Sequence, residues 1–131
     1  MAFLIDTQIL IWGIVSPEKL SNSTKNILQN KDIFVSQVSL YEIVIKQKIG
    51  KLPELTLSID ELERQLLFDN FQMLFIKNVH ISAYNSIPLL ADHKDPFDRL
   101  ILATAFAEKL PIISADENFK FYVPQIQLIE N

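Results

Sequence analysis

Cysteine is absent from the sequence, which excludes a disulfide framework and any metal site built on thiolates. Glycine occurs only twice, which argues against a glycine-rich repeat or a disordered linker. No apolar run approaches the length needed to span a bilayer, so no membrane partner is expected. The leading MAFLIDTQ has no basic region, and Asp6 interrupts the apolar run that a signal peptide would need. A soluble, cytoplasmic protein is the expectation. Positive charge is in the minority, 12 Lys and Arg against 16 Asp and Glu, giving a net charge of −4. The surface as a whole therefore does not attract nucleic acid, and any polyanion would have to be met by local cations or bound metal.

What is present is a substantial apolar content: 49% of 131 residues, enough for one self-sufficient domain spanning 1–131. Short apolar runs at 3–5 (FLI), 33–36 (IFVS), 73–76 (MLFI) and 111–114 (PIIS) read as strands, with QIQLIE near the end as a fifth. Helical patterns lie between them: Thr7 to Gly13, Ser23 to Gln29, Val38 to Ile49 stopped by Gly50, Ile59 to Phe68, Val79 to Ser86 and Pro96 to Lys109. Strands alternating with helices imply crossover connections, hence an α/β fold with a mostly parallel sheet covered on both faces.

In such a sheet, ligands bind outside the carboxyl ends of the strands. Asp6 follows the first strand and Asp116 the fourth, Glu42 lies in the opening turns of the helix after IFVS, and Asp98 in the first turn of the helix begun by Pro96. All four acids are therefore expected at one edge. Carboxylates a few ångströms apart raise one another's pKa values or recruit a cation. An oxygen-rich set without cysteine suits Mg²⁺ or Mn²⁺, which keep several waters and bind phosphate.

Each acid also has a structural reading. Asp95 before Pro96 is placed to cap a helix, and Asp98, at the third position, is placed to reach back to the cap or to favour the helix dipole. Ser39 and Glu42 spell a capping box, and Glu42 can also pair with Lys46 one turn on. Asp116 can start a turn. Asp6 has the weakest structural reading, because an ionised acid ending an apolar strand needs a partner. His93 reads more readily as a solvated loop histidine than as a phosphate donor, and His80 less readily still as functional. Lys94 and Arg99 flank the expected site and can hold phosphate or simply be solvated. Trp12, Phe97 and Phe106 read as packing residues.

Four blocks in order, FLIDTQILIW, VSLYEIVIKQKIGKL, HKDPFDRLILATA and IISADENF, resemble the PIN-domain ribonucleases, in particular the VapC-type toxins of toxin-antitoxin pairs. The resemblance spans nearly the whole chain, and D-P-F-D-R is its most specific piece. It implies a three-layer α/β/α fold with about five strands. It also implies Mg²⁺- or Mn²⁺-dependent endoribonuclease activity with one or two ions, the acidic set falling on Asp6, Glu42, Asp98 and Asp116. Asp95 is left with the cap. The implied partners are an RNA substrate and a cognate antitoxin whose tail fills the cleft. Gln8 departs from the family, which often has histidine there.

The acids would hold ions that activate a water toward the scissile phosphate. Thr7 and Ser114 would orient the carboxylates, while Lys46, Lys94 and Arg99 would complete a phosphate track. A homodimer is the expected assembly; separately, the apolar LILATAFA helix must be covered by core or by a second subunit. Two rivals stand beside this reading. An aspartyl-nucleophile phosphatase is disfavoured because Asp6-Thr7-Gln8 lacks the second Asp of a D-x-D signature. A catalytically inactive PIN-fold subunit binding RNA or protein is disfavoured by the presence of all four acids.

Overall fold

Strand residues alternate between two apolar layers, and this alternation builds the fold. The computed structural model describes residues 1–90 and 93–131. Its strands are β1 (Ala2–Ile5), β2 (Asp32–Ser36), β3 (Phe71–Leu74), β4 (Ile112–Ser114) and β5 (Leu128–Glu130). The helices between them are α1 (Thr7–Val15), α2 (Asn22–Asn30), α3 (Gln37–Lys48), α4 (Ile59–Phe68), α5 (Asn78–Ala83) and α6 (Pro96–Glu108). All pairings are parallel, in the order β3-β2-β1-β4-β5. On one face Phe3, Ile5, Ile33, Val35 and Ile113 pack with α1, α4 and part of α3. On the other, Leu4, Phe34, Ile112 and Leu128 pack with α6. The result is the α/β/α sandwich expected from the alternation of elements, with every strand parallel.

The apolar helix α6 is covered largely by this core: Ile101, Leu102 and Ala103 are fully buried and pack against the sheet. Each buried Ile or Leu of this kind contributes roughly 1.5–3 kcal/mol relative to exposure. His80, fully buried, ties α5 to α6 through Glu108 at 2.6 Å and accepts from the Lys77 N–H at 3.1 Å, a structural role.

Three local expectations are corrected. β3 begins at Phe71 and ends at Leu74, two residues earlier than the apolar run indicates, because its partner β2 turns into α3 after Ser36, which pairs with Leu74. Phe75 and Ile76 are left beyond the ladder, and Phe75 is 56% exposed. The helix placed at Val79 to Ser86 is α-helical only to Ala83 and tightens to a 3-10 turn at Tyr84–Ser86. The Ser39–Glu42 capping box does not form. The chain passes from β2 straight into the helix, so Ser36 is the cap, its Oγ accepting from the Val38 N–H at 3.2 Å, and Ser39 is buried inside. A capping box does form in α4, where Ser58 and Glu61 exchange hydrogen bonds at 3.2 and 3.1 Å. α3 ends as expected at Gly50, whose φ of +75° lies in the left-handed region that glycine enters without a Cβ penalty.

Candidate active site

Strand order reverses between β1 and β4, so their carboxyl ends diverge into different layers and open a crevice. Asp6 leaves β1 at this point and caps α1, its Oδ1 accepting from the Ile9 N–H at 2.9 Å. Ser114, the last residue of β4, donates its hydroxyl to Asp6 Oδ2 and accepts from the Asp116 N–H at 3.0 Å. One serine thus joins the two strand ends. Asp116 Oδ1 accepts from the Asn118 N–H at 2.9 Å, which starts a 3-10 turn over Glu117–Tyr122.

α6 supplies the third acid. Asp95 caps the helix by accepting from the Phe97 and Asp98 N–H groups at 2.8 and 3.3 Å. Asp98 turns from the cap toward His93, whose Nε2 lies 3.1 Å from Asp98 Oδ2. His93 Nδ1 lies 2.7 Å from the Tyr122 hydroxyl. Burial raises the pKa of Tyr122, so its phenol stays protonated and can donate to Nδ1, leaving Nε2–H for the carboxylate. Ligand atoms of His93, Asp98 and Asp116 lie within 4.8 Å of one another. α3 brings Glu42, whose Oε1 accepts from Thr7 Oγ1 at 2.7 Å, while Thr7 also shares a hydrogen bond with Ser39 at 2.9 Å.

The cluster is electrostatically unbalanced. Burial, opposed by the hydrogen bonds from Ser114 and Ile9 and reinforced by Asp98 and Asp116, pushes Asp6 up to about 7. Burial also raises Asp98, to about 6, against the hydrogen bond from His93 and with added repulsion from Asp95, Glu42 and Asp116. Among the described residues no lysine or arginine pairs with Asp6, Asp98 or Asp116, and the only cation beside the set is Lys46, 3.6 Å from Glu42. Buried oxygens that share repulsion and lack a counter-charge are the donor set that a hard divalent cation satisfies, so these residues fit such an ion.

Two placements differ from expectation. Arg99 does not face the crevice: it is 1% exposed, and its guanidinium donates to Tyr84 Oη at 3.0 Å, Pro88 O at 2.6 Å and Ile87 O at 2.9 Å. Consecutive helical residues diverge by about 100°, so Asp98 and Arg99 cannot serve the same site. His93 is buried among Tyr122, Phe119 and Asp98, where a solvated loop residue was expected. Its neighbours lie up to 29 positions away, and only its place five residues before Asp98 hinted at the contact. Lys94 is exposed on the loop before α6.

Residues 3–122 match the model of the PIN domain. The chain belongs to the PIN domain family. Nuclease activity is general in that family. No curated protein matches this sequence. Its fold is similar to solved toxin-antitoxin structures at low identity. DNA-bound VapBC from Salmonella typhimurium matches with a TM-score of 0.68 at 14% identity, over 99% of this chain and 98% of the other. VapBC2 from Rickettsia felis, bound to a promoter DNA fragment, gives 0.67 at 15% over the same shares. A Klebsiella pneumoniae toxin-antitoxin complex gives 0.62 at 20%, over 97% of this PIN domain and 95% of its chain.

Proposed function

We propose that this PIN domain is a divalent-metal-dependent endoribonuclease, the toxin of a cytoplasmic toxin-antitoxin pair, working as a homodimer and restrained by an antitoxin. The observation that carries the reading is the convergence of Asp6, Asp98 and Asp116, with Glu42 nearby, at the switch point of the sheet, where among the described residues no lysine or arginine pairs with the three aspartates. The similarity to toxin-antitoxin complexes supports the biological setting. Asp6, Glu42, Asp98 and Asp116 would hold one or two Mg²⁺ or Mn²⁺ ions, for which a set of carboxylate oxygens is suited. When bound, the ion supplies Lewis-acid stabilisation of the phosphate and a water acidic enough to attack at neutral pH.

The chain's own residues hold this set in position. Ser114 fixes Asp6 and sets the backbone of Asp116, Thr7 holds Glu42, and His93, backed by Tyr122, holds Asp98. Asp6 is partly protonated near neutrality and Asp98 to a smaller extent, and both would have to give up those protons to hold a cation. Lys46, beside Glu42, and the exposed Lys94 are the cations left to meet the RNA backbone, since Arg99 is committed inside the protein. The test is cleavage of RNA by purified protein with Mg²⁺ or Mn²⁺. Cleavage is expected to stop on chelation and in Asp98→Asn. Ion uptake and RNA binding without cleavage would instead make the protein a catalytically inactive PIN-fold subunit.

A further inference from the structure

The acidic chain concentrates lysine in one place beside its acids. A cleft of about 410 Å³ is lined by Gln8, Trp12, Lys19, Lys46, Lys51 and Glu54, among others. It adjoins the carboxylates through Lys46, the partner of Glu42 at 3.6 Å. Three lysines against the single acid Glu54 reverse the sign of the chain's net charge of −4. Trp12, the only tryptophan, lies six residues along α1 from Asp6, about 9 Å on a helix rising 1.5 Å per residue. The indole is half-buried, packed on the core through part of its surface, with the Lys19 ammonium 5.8 Å from the ring centroid.

We infer that this cleft binds a segment of single-stranded RNA next to the bond to be cut, stacking a base on Trp12 and laying phosphates against Lys19, Lys46 and Lys51. The inference rests on the nuclease reading for its direction and on the cleft for its chemistry. Aromatic faces with flanking cations bind single strands with little sequence demand, because every base offers a π-face and every nucleotide a phosphate. Lys19 covers the ring weakly, 5.8 Å from its centroid, and exchanges that contact for a phosphate when a base arrives. Gln8, in the lining of the cleft, offers a neutral donor and acceptor to a bound strand.

The lone tryptophan provides the assay. Oligouridylate is titrated into the full-length protein in EDTA, so that no strand is cut, while Trp12 emission and the anisotropy of labelled RNA are followed together. Emission is expected to fall saturably in step with anisotropy. With about 0.7 counterions released per phosphate contact, three lysines make affinity drop about 15- to 20-fold between about 50 and about 200 mM salt. In Lys19→Gln/Lys51→Gln the same change should cost only about 2- to 3-fold. RNA that binds by anisotropy with unaltered emission, or a salt dependence untouched by the double variant, overturns the inference. So does quenching by an acidic peptide and not by RNA, which would give the cleft to a protein partner. RNA cleavage without quenching would sink the cleft and spare the nuclease reading, whereas quenching without cleavage in Mg²⁺ or Mn²⁺ would do the reverse.

Discussion

Replacing Asp6 with asparagine is expected to make the metal-free protein more stable while destroying its activity. Burial lifts this carboxyl from 3.8 to about 7. At 1.36 kcal/mol per pKa unit, the folded state holds its ionised form at a disadvantage of up to about 4 kcal/mol. The sign follows from proton counting: between the two pKa values the folded protein binds a proton that the unfolded chain has released. Stability therefore falls as pH rises through this window, by up to about 1.4 kcal/mol per unit, and levels off above pH 7. Asparagine has no proton to lose. Its carbonyl still accepts from Ile9 N–H, and its amide can donate to Ser114 Oγ. Thermal unfolding in EDTA should show no gap between variant and parent near pH 4 and a widening gap toward pH 7.5. The gap should reach about 2–4 kcal/mol, of the order of 10 °C. Added Mn²⁺ should then raise the melting temperature of the parent and leave the variant nearly unmoved. A variant less stable than its parent at pH 7.5, or a gap independent of pH, would refute the account of Asp6.

Other residues give separate tests. Asp98, raised to about 6, and Asp6, raised to about 7, place the rise of Mn²⁺ affinity with pH in the range from about 5 to 8, measurable by calorimetry. Ser114→Ala and His93→Phe each remove a hydrogen bond that orients an acid, and each should weaken Mn²⁺ binding about 10- to 100-fold with the far-ultraviolet dichroism preserved. Arg99→Met strands the Ile87 and Pro88 carbonyls and should cost about 3 kcal/mol or more in urea unfolding, through lost charge-assisted hydrogen bonds. RNA binding by the folded fraction of that variant should keep its salt dependence.

Strand and helix alternation could be read directly, because apolar runs too short for helices sat between segments of helical period, and only a parallel sheet joins such pieces. Once the sheet is parallel, acids just past strand ends must share an edge, which is why Asp6 and Asp116 could be placed from position alone. The errors arose where a local pattern competed with tertiary contact. Ser39 and Glu42 matched a capping box, yet the register of β2 started the helix earlier and left both facing Thr7. Arg99 was grouped with Asp98 by proximity in sequence, although the helix turns adjacent side chains apart, a geometric signal available without coordinates. His93 was not readable, because its burial depends on Tyr122, Phe119 and the fold of a distant turn.

The hydroxyl link between Ser114 and Asp6 joins positions 108 apart in the chain. A contact at that separation closes most of the chain into a loop and needs both β1 and β4 in place. Until then the carboxylates belong to separate stretches of polypeptide, and a nuclease of the kind proposed would have no assembled centre while its chain is still being made. The acidic centre therefore cannot be assembled before synthesis has passed the fourth strand.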